Sequence, residues 1–466
     1  MTHVQSAIVN QLYLAIVPLE DEMVLYRAWS EMVPLHFMKR ITSFSAMRRL
    51  RTVFGVFCLF TASMATADWP QFRGPAGSGI SLDEDLPTTW SDSENLRWKV
   101  RLPGAGSSSP AVVGDRVYLT AFTGYGIDPA NPGQREDLRL HTLALDFDTG
   151  EVVWDQEIAA SEEEQTVTPR VADHGYASPT PVCDGTAVYA FFGPSGMVAY
   201  DLKGNLLWRR NLGTKTAGFG AAASPIVYKD LVIMNASIED GTLYGLDKST
   251  GETVYRIEGI QRTWTTPTIV RSQAGRDEMI VDQKDRIVAF DPKTGNQLWW
   301  CEGVPDYIVP VVVAHDGVVY CSGGRQNKTF AVRAGGDGDV SESHLLWQIN
   351  RGANVTSPLY HDGHLYWAHD KHIALCVRAG DGEEVYRERM PTTSRVYASI
   401  VYGDGKFFMT TRDAGVMVVK ANPMYEVLAT NRLGDEDEMF NATPAISGGR
   451  ILLRSKTHLY CVEKLD

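Results

Sequence analysis

One phrase recurs along this chain and limits what the chain can fold into. It reads ALDFDTGEVVW ending at Trp154, AYDLKGNLLW ending at Trp208 and AFDPKTGNQLWW over Ala289–Trp300. Looser copies are GLDKSTGETVY ending at Tyr255 and AVRAGGDGDVSESHLLW ending at Trp347. Each joins a short apolar run, a glycine turn and an aromatic. Self-similarity at a fixed period marks a repeat architecture, in which each unit buries its apolar face against the next. A chain of 466 residues is otherwise long for one compact core.

A second marker sets the period. A small residue or Thr before Pro opens a unit at Pro110, Pro179, Pro225, Pro267, Pro310, Pro358 and Pro444, and Ile400 holds the equivalent place in YASIVYGDG. The intervals are 69, 46, 42, 43, 48, 42 and 44 residues. The long first one contains the insertions FTGYGIDPANPGQREDLR and AASEEEQTVTPRVADHGY. After each opening comes a short strand, then a tight turn such as Asp184-Gly185, Asp316-Gly317, Asp362-Gly363 or Asp404-Gly405. Asp-Gly suits a two-residue hairpin whose central residues both take positive φ. A second strand, a third, a Thr-Gly turn and a fourth strand ending in the aromatic complete the unit. Four strands in each short repeat describe a propeller blade.

Eight units are present, and the last, ATPAISGGRILLRSKTHLYCVEKL, supplies only three strands. The fourth is available at the other end, in ENLRWKVRL, with Trp98 at the position of the phrase's tryptophan. The sequence therefore predicts an all-β fold. It is an eight-bladed β-propeller of four-stranded antiparallel blades over residues 90–466, closed by pairing the N-terminal strand with the C-terminal blade. Closure removes the open edge strands. Trp98, Trp154, Trp208, Tyr255, Trp299 and Trp347 are expected to dock between blades. A large aromatic buried there contributes on the order of 2–3 kcal/mol.

The N-terminus reads as an address. MRRLRTVFGVFCLFTASMATA, Met47–Ala67, has a basic start, an apolar middle and an A-x-A ending, as a secretory signal peptide does. Its apolar run is too short to span a bilayer. Phe57 precedes Cys58 where a lipoprotein signal needs a small residue. Residues 1–46 carry no export logic and read as an extension ahead of the true start, and 68–89 as a leader to the first blade. Removing residues 1–67 takes away six Lys/Arg and four Asp/Glu, which moves the net charge from −13 to −15. So acidic a chain argues against nucleic acid or an anionic membrane as partner. Cys183, Cys301, Cys321, Cys376 and Cys461 remain, none near another in sequence. They read as buried small apolar residues, with one long-range disulfide left open.

The A-x-D-x-x-T-G-x-x-x-W phrase and the Ser-Pro or Thr-Pro opening resemble the repeats of the quinoprotein-type, or PQQ-like, propellers over nearly all of residues 68–466. The leader DWPQFRGPAGSGIS looks like that of a secreted bacterial subfamily. The resemblance implies one of two branches. One contains dehydrogenases that hold pyrroloquinoline quinone and calcium over the ring axis. The other contains cofactor-free, BamB-like scaffolds of the envelope. Fold alone does not choose. The dehydrogenase branch carries an adjacent Cys-Cys pair, and this chain has none. It also carries an Asp in a Trp-Asp-x-Asp phrase before a blade opening. The corresponding places here read QRTWTTP and PDYIVP, with Asp306 the one acid. Calcium needs several converging oxygens, and Asn235 is the single good match.

Other motifs carry less. His361, His364, His369 and His372 lie in HDGHLYWAHDKH, but the blade pattern puts the two pairs on opposite turns, too few ligands each for zinc. GGDGDVSES lacks the glutamate of a calcium loop and reads as an elongated turn. No G-x-S-x-G, H-E-x-x-H or phosphate-binding loop is present.

The segments entering each innermost strand gather round the axis on one face. They offer His174, Tyr176, Phe219, Arg262, Trp264, Tyr307, Arg351, Asn354, Arg395, Tyr397, Phe440 and Asn441. Aromatics and arginines in a funnel make a recognition surface or plug the channel mouth. The arginines suit a carboxylate, a phosphate or an acidic peptide. The leading expectation is an exported, monomeric, non-catalytic propeller, periplasmic or secreted, binding a protein or polysaccharide through that face without cofactor or metal. A quinone-dependent dehydrogenase and an extracytoplasmic sensor domain are the alternatives.

Overall fold

The computed structural model describes residues 68–435 and 438–465. The proposed signal peptide and the extension before it lie outside the described residues. Eight sheets follow one another, each with four antiparallel strands that are consecutive in the repeat except where the ring closes. Blade I comprises Ala111–Val113, Arg116–Thr123, Arg139–Asp146 and Val152–Ala159. Blades II to VII open at Val182–Cys183, Ile226–Tyr228, Thr268–Arg271, Val313–His315, Leu359–His361 and Val401–Gly403. Blade VIII combines Ala445–Ser447, Arg450–Arg454 and His458–Glu463 with the N-terminal strand Leu96–Arg101. Trp98 lies opposite Cys461, so the ring closes as the sequence predicts.

The structure gives each letter of the repeated phrase a task. Its first residue faces the aromatic across the third and fourth strands: Ala144 opposite Trp154, Ala199 opposite Trp208, Gly245 opposite Tyr255 and Ala289 opposite Trp299. A small residue there leaves room for the ring, and the bulge that follows in every blade turns it toward the next blade. The Asp caps the turn, as Asp146 does by accepting from the amides of Asp148 and Thr149. The Gly takes positive φ, and in Gly251 (φ 69°) a Cβ would come within 2.6 Å of the Trp208 ring of the preceding blade. The indole then donates to that turn: Trp98 to the Phe147 carbonyl, Trp154 to Leu202, Trp208 to Lys248 and Trp347 to Ala379. Tyr255 reaches the Pro292 carbonyl through its hydroxyl.

Trp299 departs from the series. Its indole donates 2.6 Å to the buried Glu278 carboxylate, which also takes the Gly335 amide of blade V. The turn of blade V is elongated there, and its Gly338–Asp339 adds a short parallel strand to blade IV.

Two details of the repeat need correcting. Asp316, Asp362 and Asp404 take positive φ as the hairpin requires, but Asp184 does not; its carboxylate instead accepts from the amides of Thr186 and Ala187. The second concerns where blades II and V begin. A belt of hydroxyls circles the axis, each accepting an amide of the preceding blade. Ser109 N donates to Thr180 Oγ1, Thr180 N to Ser224 Oγ and Ser224 N to Thr266 Oγ1. Val311 N donates to Ser357 Oγ, Ser357 N to Ser399 Oγ and Ser399 N to Thr443 Oγ1. The belt places the openings of blades II and V at Pro181 and Val312, not at Pro179 and Pro310. After the long first interval, now 71, the others become 44, 42, 45, 46, 42 and 44, more even than the prolines alone suggest.

The five cysteines are free and buried. The four histidines of HDGHLYWAHDKH do not converge: His361 stacks on Tyr402, and His372 meets the Ser394 carbonyl. The leader crosses the face that carries the Asp-Gly turns. Trp69 pairs with Val112 of blade I, the Pro70 carbonyl takes the Cys183 amide, and Ile80 pairs with Tyr402 of blade VII. Between them Arg73 is wholly buried, donating to the Pro358 carbonyl of blade VI and to the Ser78 carbonyl.

Candidate binding site at the ring axis

Repeats around an axis bring equivalent positions together, so the hydroxyl belt necessarily lines a channel. Phe72 of the leader reaches into one end of it, leaving a cavity of about 290 Å³ that opens on the opposite face. Above the belt the cavity is walled by the segments that enter each blade. Seven of the twelve expected residues line it: His174, Phe219, Trp264, Tyr307, Asn354, Tyr397 and Asn441.

These aromatics form a continuous collar. Tyr397 and His174 have ring centroids 5.5 Å apart, His174 and Phe219 6.2 Å, Phe219 and Trp264 6.4 Å, and Trp264 and Tyr307 6.1 Å. Asn354 Nδ2 donates to the Tyr307 hydroxyl and extends the arc. Edge-to-face contacts at such distances fix ring orientation. Trp264 is further held by its indole hydrogen bond to the Gly220 carbonyl. Burial pushes the His174 imidazole down to about 4, so the ring is neutral at ordinary pH.

The other five expected residues sit elsewhere. Tyr176 packs edge-on against Phe122 in the wall and donates to the Gln165 carbonyl. Phe440 is buried beside Tyr460. Arg351 turns away to Glu384. Arg262 and Arg395 stand at the rim: the Arg262 guanidinium lies 4.8 Å over the Trp264 ring, and Arg395 donates to the Tyr397 hydroxyl.

Sequence reasoning missed the rest of the rim. Arg170 lies over Phe219, Arg325 over Tyr307 and Arg412 over Tyr397, so each collar aromatic except His174 carries a guanidinium. Arg325 and Arg412 are also paired with Asp306 and Asp173. The available signal was positional. Arg325 and Arg412 lie in turns between second and third strands, which emerge on the same face as the blade entries. The hydroxyl belt was likewise present in the letters before the prolines, where only the prolines were read.

The residues at the axis do not suit a quinone held with calcium. Asp370 is the one carboxylate lining the cavity; its Oδ1 lies 2.8 Å from His369 Nδ1, which already accepts the Lys371 amide. Asp306 is held by Arg325 and by the amides of Tyr307 and Arg325. Asn235 is buried with its amide nitrogen on the Thr265 carbonyl and its oxygen on the Ser237 amide. Among the described residues no three acidic, histidine or cysteine side chains gather as a metal site, and no helix is long and apolar enough to cross a membrane.

The model of the family described as outer membrane protein assembly factor BamB matches residues 83–220 and 142–385. Among solved structures, BamB from Moraxella catarrhalis superposes with a TM-score of 0.55 at 12% identity, covering 79% of this chain and 97% of that one. A europium-containing methanol dehydrogenase gives 0.58 at 12% identity, covering 83% and 89%. The quinohemoprotein alcohol dehydrogenase of Comamonas testosteroni gives 0.60 at 13% identity, covering 87% and 82%. Likeness at this identity speaks for the fold alone. No curated protein matches by sequence.

Proposed function

This chain belongs to the PQQ-like, BamB-like β-propeller family, and on that footing we propose that it is an exported, non-catalytic recognition protein of the cell envelope. It takes a protein or polysaccharide partner at the open end of its axis. The observation that carries the reading is the collar itself. Five rings in mutual contact surround a cavity that the leader closes from behind, and arginines stand over them. Rigid aromatics with guanidinium neighbours are what recognition surfaces concentrate at their centres. The donor set argues against the quinone branch, since a single carboxylate at the axis offers calcium too little.

Capture from an envelope extract tests the reading. The wild-type protein is expected to retain a partner that Arg262→Glu and Tyr397→Ala lose, while a substitution on the outer wall, Val254→Ser, retains it. Retention by all variants overturns a site at the axis. Thermal melting with pyrroloquinoline quinone and calcium gives the complementary result. No shift is expected, whereas saturation at 100 times Kd would add about 2.7 kcal/mol and sink the cofactor-free reading.

A further inference from the structure

The axial site separates its charges from its neutral polar groups. No lysine or arginine lines the cavity. Within it, six belt hydroxyls each accept one amide, and none donates to a protein acceptor among the described residues. Two amide oxygens, Asn354 Oδ1 and Asn441 Oδ1, are buried without any partner. A buried acceptor left unmade is costly, so these atoms mark places a ligand can satisfy. The cavity thus offers free hydroxyl donors, free amide acceptors and aromatic rings, with the Asp370 carboxylate to repel an anion. At the rim the signs reverse. Arg170, Arg262 and Arg395 form no ion pair among the described residues, although the chain as a whole carries a net charge of −13 and Asp173 and Asp370 act on Arg395 from further off.

Resting on the recognition reading above, we propose that the axial cavity binds the end of an acidic polysaccharide, with a neutral terminal sugar inside and the first acidic sugar at the rim arginines. A sugar ring presents hydroxyls that both donate and accept, which matches the belt and the two asparagine oxygens. Its C–H faces suit the collar rings. The floor at Phe72 makes the site a dead end, so it takes a chain terminus and not the middle of a strand. An acidic peptide matches the rim and its backbone can meet the polar groups, but its acidic side chains offer the collar rings no flat C–H face and would meet the Asp370 carboxylate inside.

Calorimetry on the purified protein tests this with a hyaluronan tetrasaccharide, whose neutral N-acetylhexosamine end is followed by a uronate. Chitotetraose serves as the neutral comparator and tetraglutamate as the charged one. The hyaluronan fragment is expected to bind about 10-fold more tightly than chitotetraose in low salt, with the difference shrinking as salt is added. Arg262→Ala combined with Arg395→Ala should bring the two sugars to equal affinity. Asn354→Ala and Trp264→Ala should weaken both, and circular dichroism checks that these variants fold. The exposed arginine pair keeps the test sound if the tryptophan variant does not. Tetraglutamate binding as tightly as the sugar, or neither sugar binding, overturns the proposal. In the latter case, partner capture that still depends on Tyr397 leaves the broader recognition reading standing.

Discussion

Trp208 and Trp299 hold equivalent positions in blades II and IV, yet their indoles end on different acceptors. Trp208 donates to the Lys248 carbonyl in the turn of the next blade. Trp299 donates to Glu278 in its own blade, and that carboxylate also takes the Arg276 guanidinium and an amide from blade V. A backbone acceptor comes free with every copy of the turn, so it survives repetition. Where the turn of blade V lengthens, the acceptor is lost and a buried charge replaces it. The comparison teaches that the repeat specifies a docking geometry, and that the chemistry satisfying it is local.

The largest break in that comparison is Glu278→Ala. It strips three donors at once from a fully buried carboxylate, and urea unfolding should show a loss of about 3–5 kcal/mol. Trp208→Phe removes one hydrogen bond to a carbonyl and should cost only about 1 kcal/mol by the same measurement. Equal losses would mean that the two seams do not differ in kind.

A second test uses buried carboxyls that lack such donors. Burial pushes Glu239 up to about 8, and it pushes Glu164 up to about 7 despite the Ser195 hydroxyl. The folded chain therefore holds protons that the unfolded chain releases above about pH 4.5, and stability is lost as pH rises from there to about 8. Between pH 5 and 8.5 the melting midpoint should fall about 3–5 °C further in the wild type than in Glu239→Gln. Parallel pH profiles would remove this carboxyl from the account. The smallest effect is expected at one of the two gaps in the hydroxyl belt, between Thr266 and Val311. Val311→Ser would give the Thr266 amide the acceptor its counterparts have, for a gain of about 0.5–1 kcal/mol; no gain would mean that the amide is already satisfied by water.

Much of this was legible in the letters, for a physical reason. Blade docking needs a small residue, a turn-capping Asp, a Gly and a large ring at fixed intervals, and no other residues do those jobs as well. Closure was legible because Trp98 carries the same signature without the strands before it. The starts of blades II and V were misplaced because Pro179 and Pro310 imitate the opening, while the hydroxyl contact that defines it links residues in different blades. The collar was half legible. His174, Phe219, Trp264, Tyr307 and Tyr397 precede their blades and are gathered by the fold, but Tyr176 and Phe440 in the same segments turn into the wall. The direction a loop side chain takes is set by neighbours from other blades. Arg325 and Arg412 reach the collar rings from different loops of the same face, and Phe72 arrives from the far side of the ring, so no local spacing announces them.

The pairing of Leu96 with Val462 has a consequence in time. A ribosome makes one partner near the beginning and the other near the end, so the first strand of the ring waits unpaired while seven blades are completed. Bridging so long a separation adds little entropy cost at equilibrium, because that cost grows only with the logarithm of length. It does make completion late, since contacts between distant residues slow folding. Until the last strand emerges, both Leu96–Arg101 and blade VIII present bare edges, the form in which strands recruit strangers. The clasp that makes the finished molecule edgeless is the same one that leaves its newborn form adhesive.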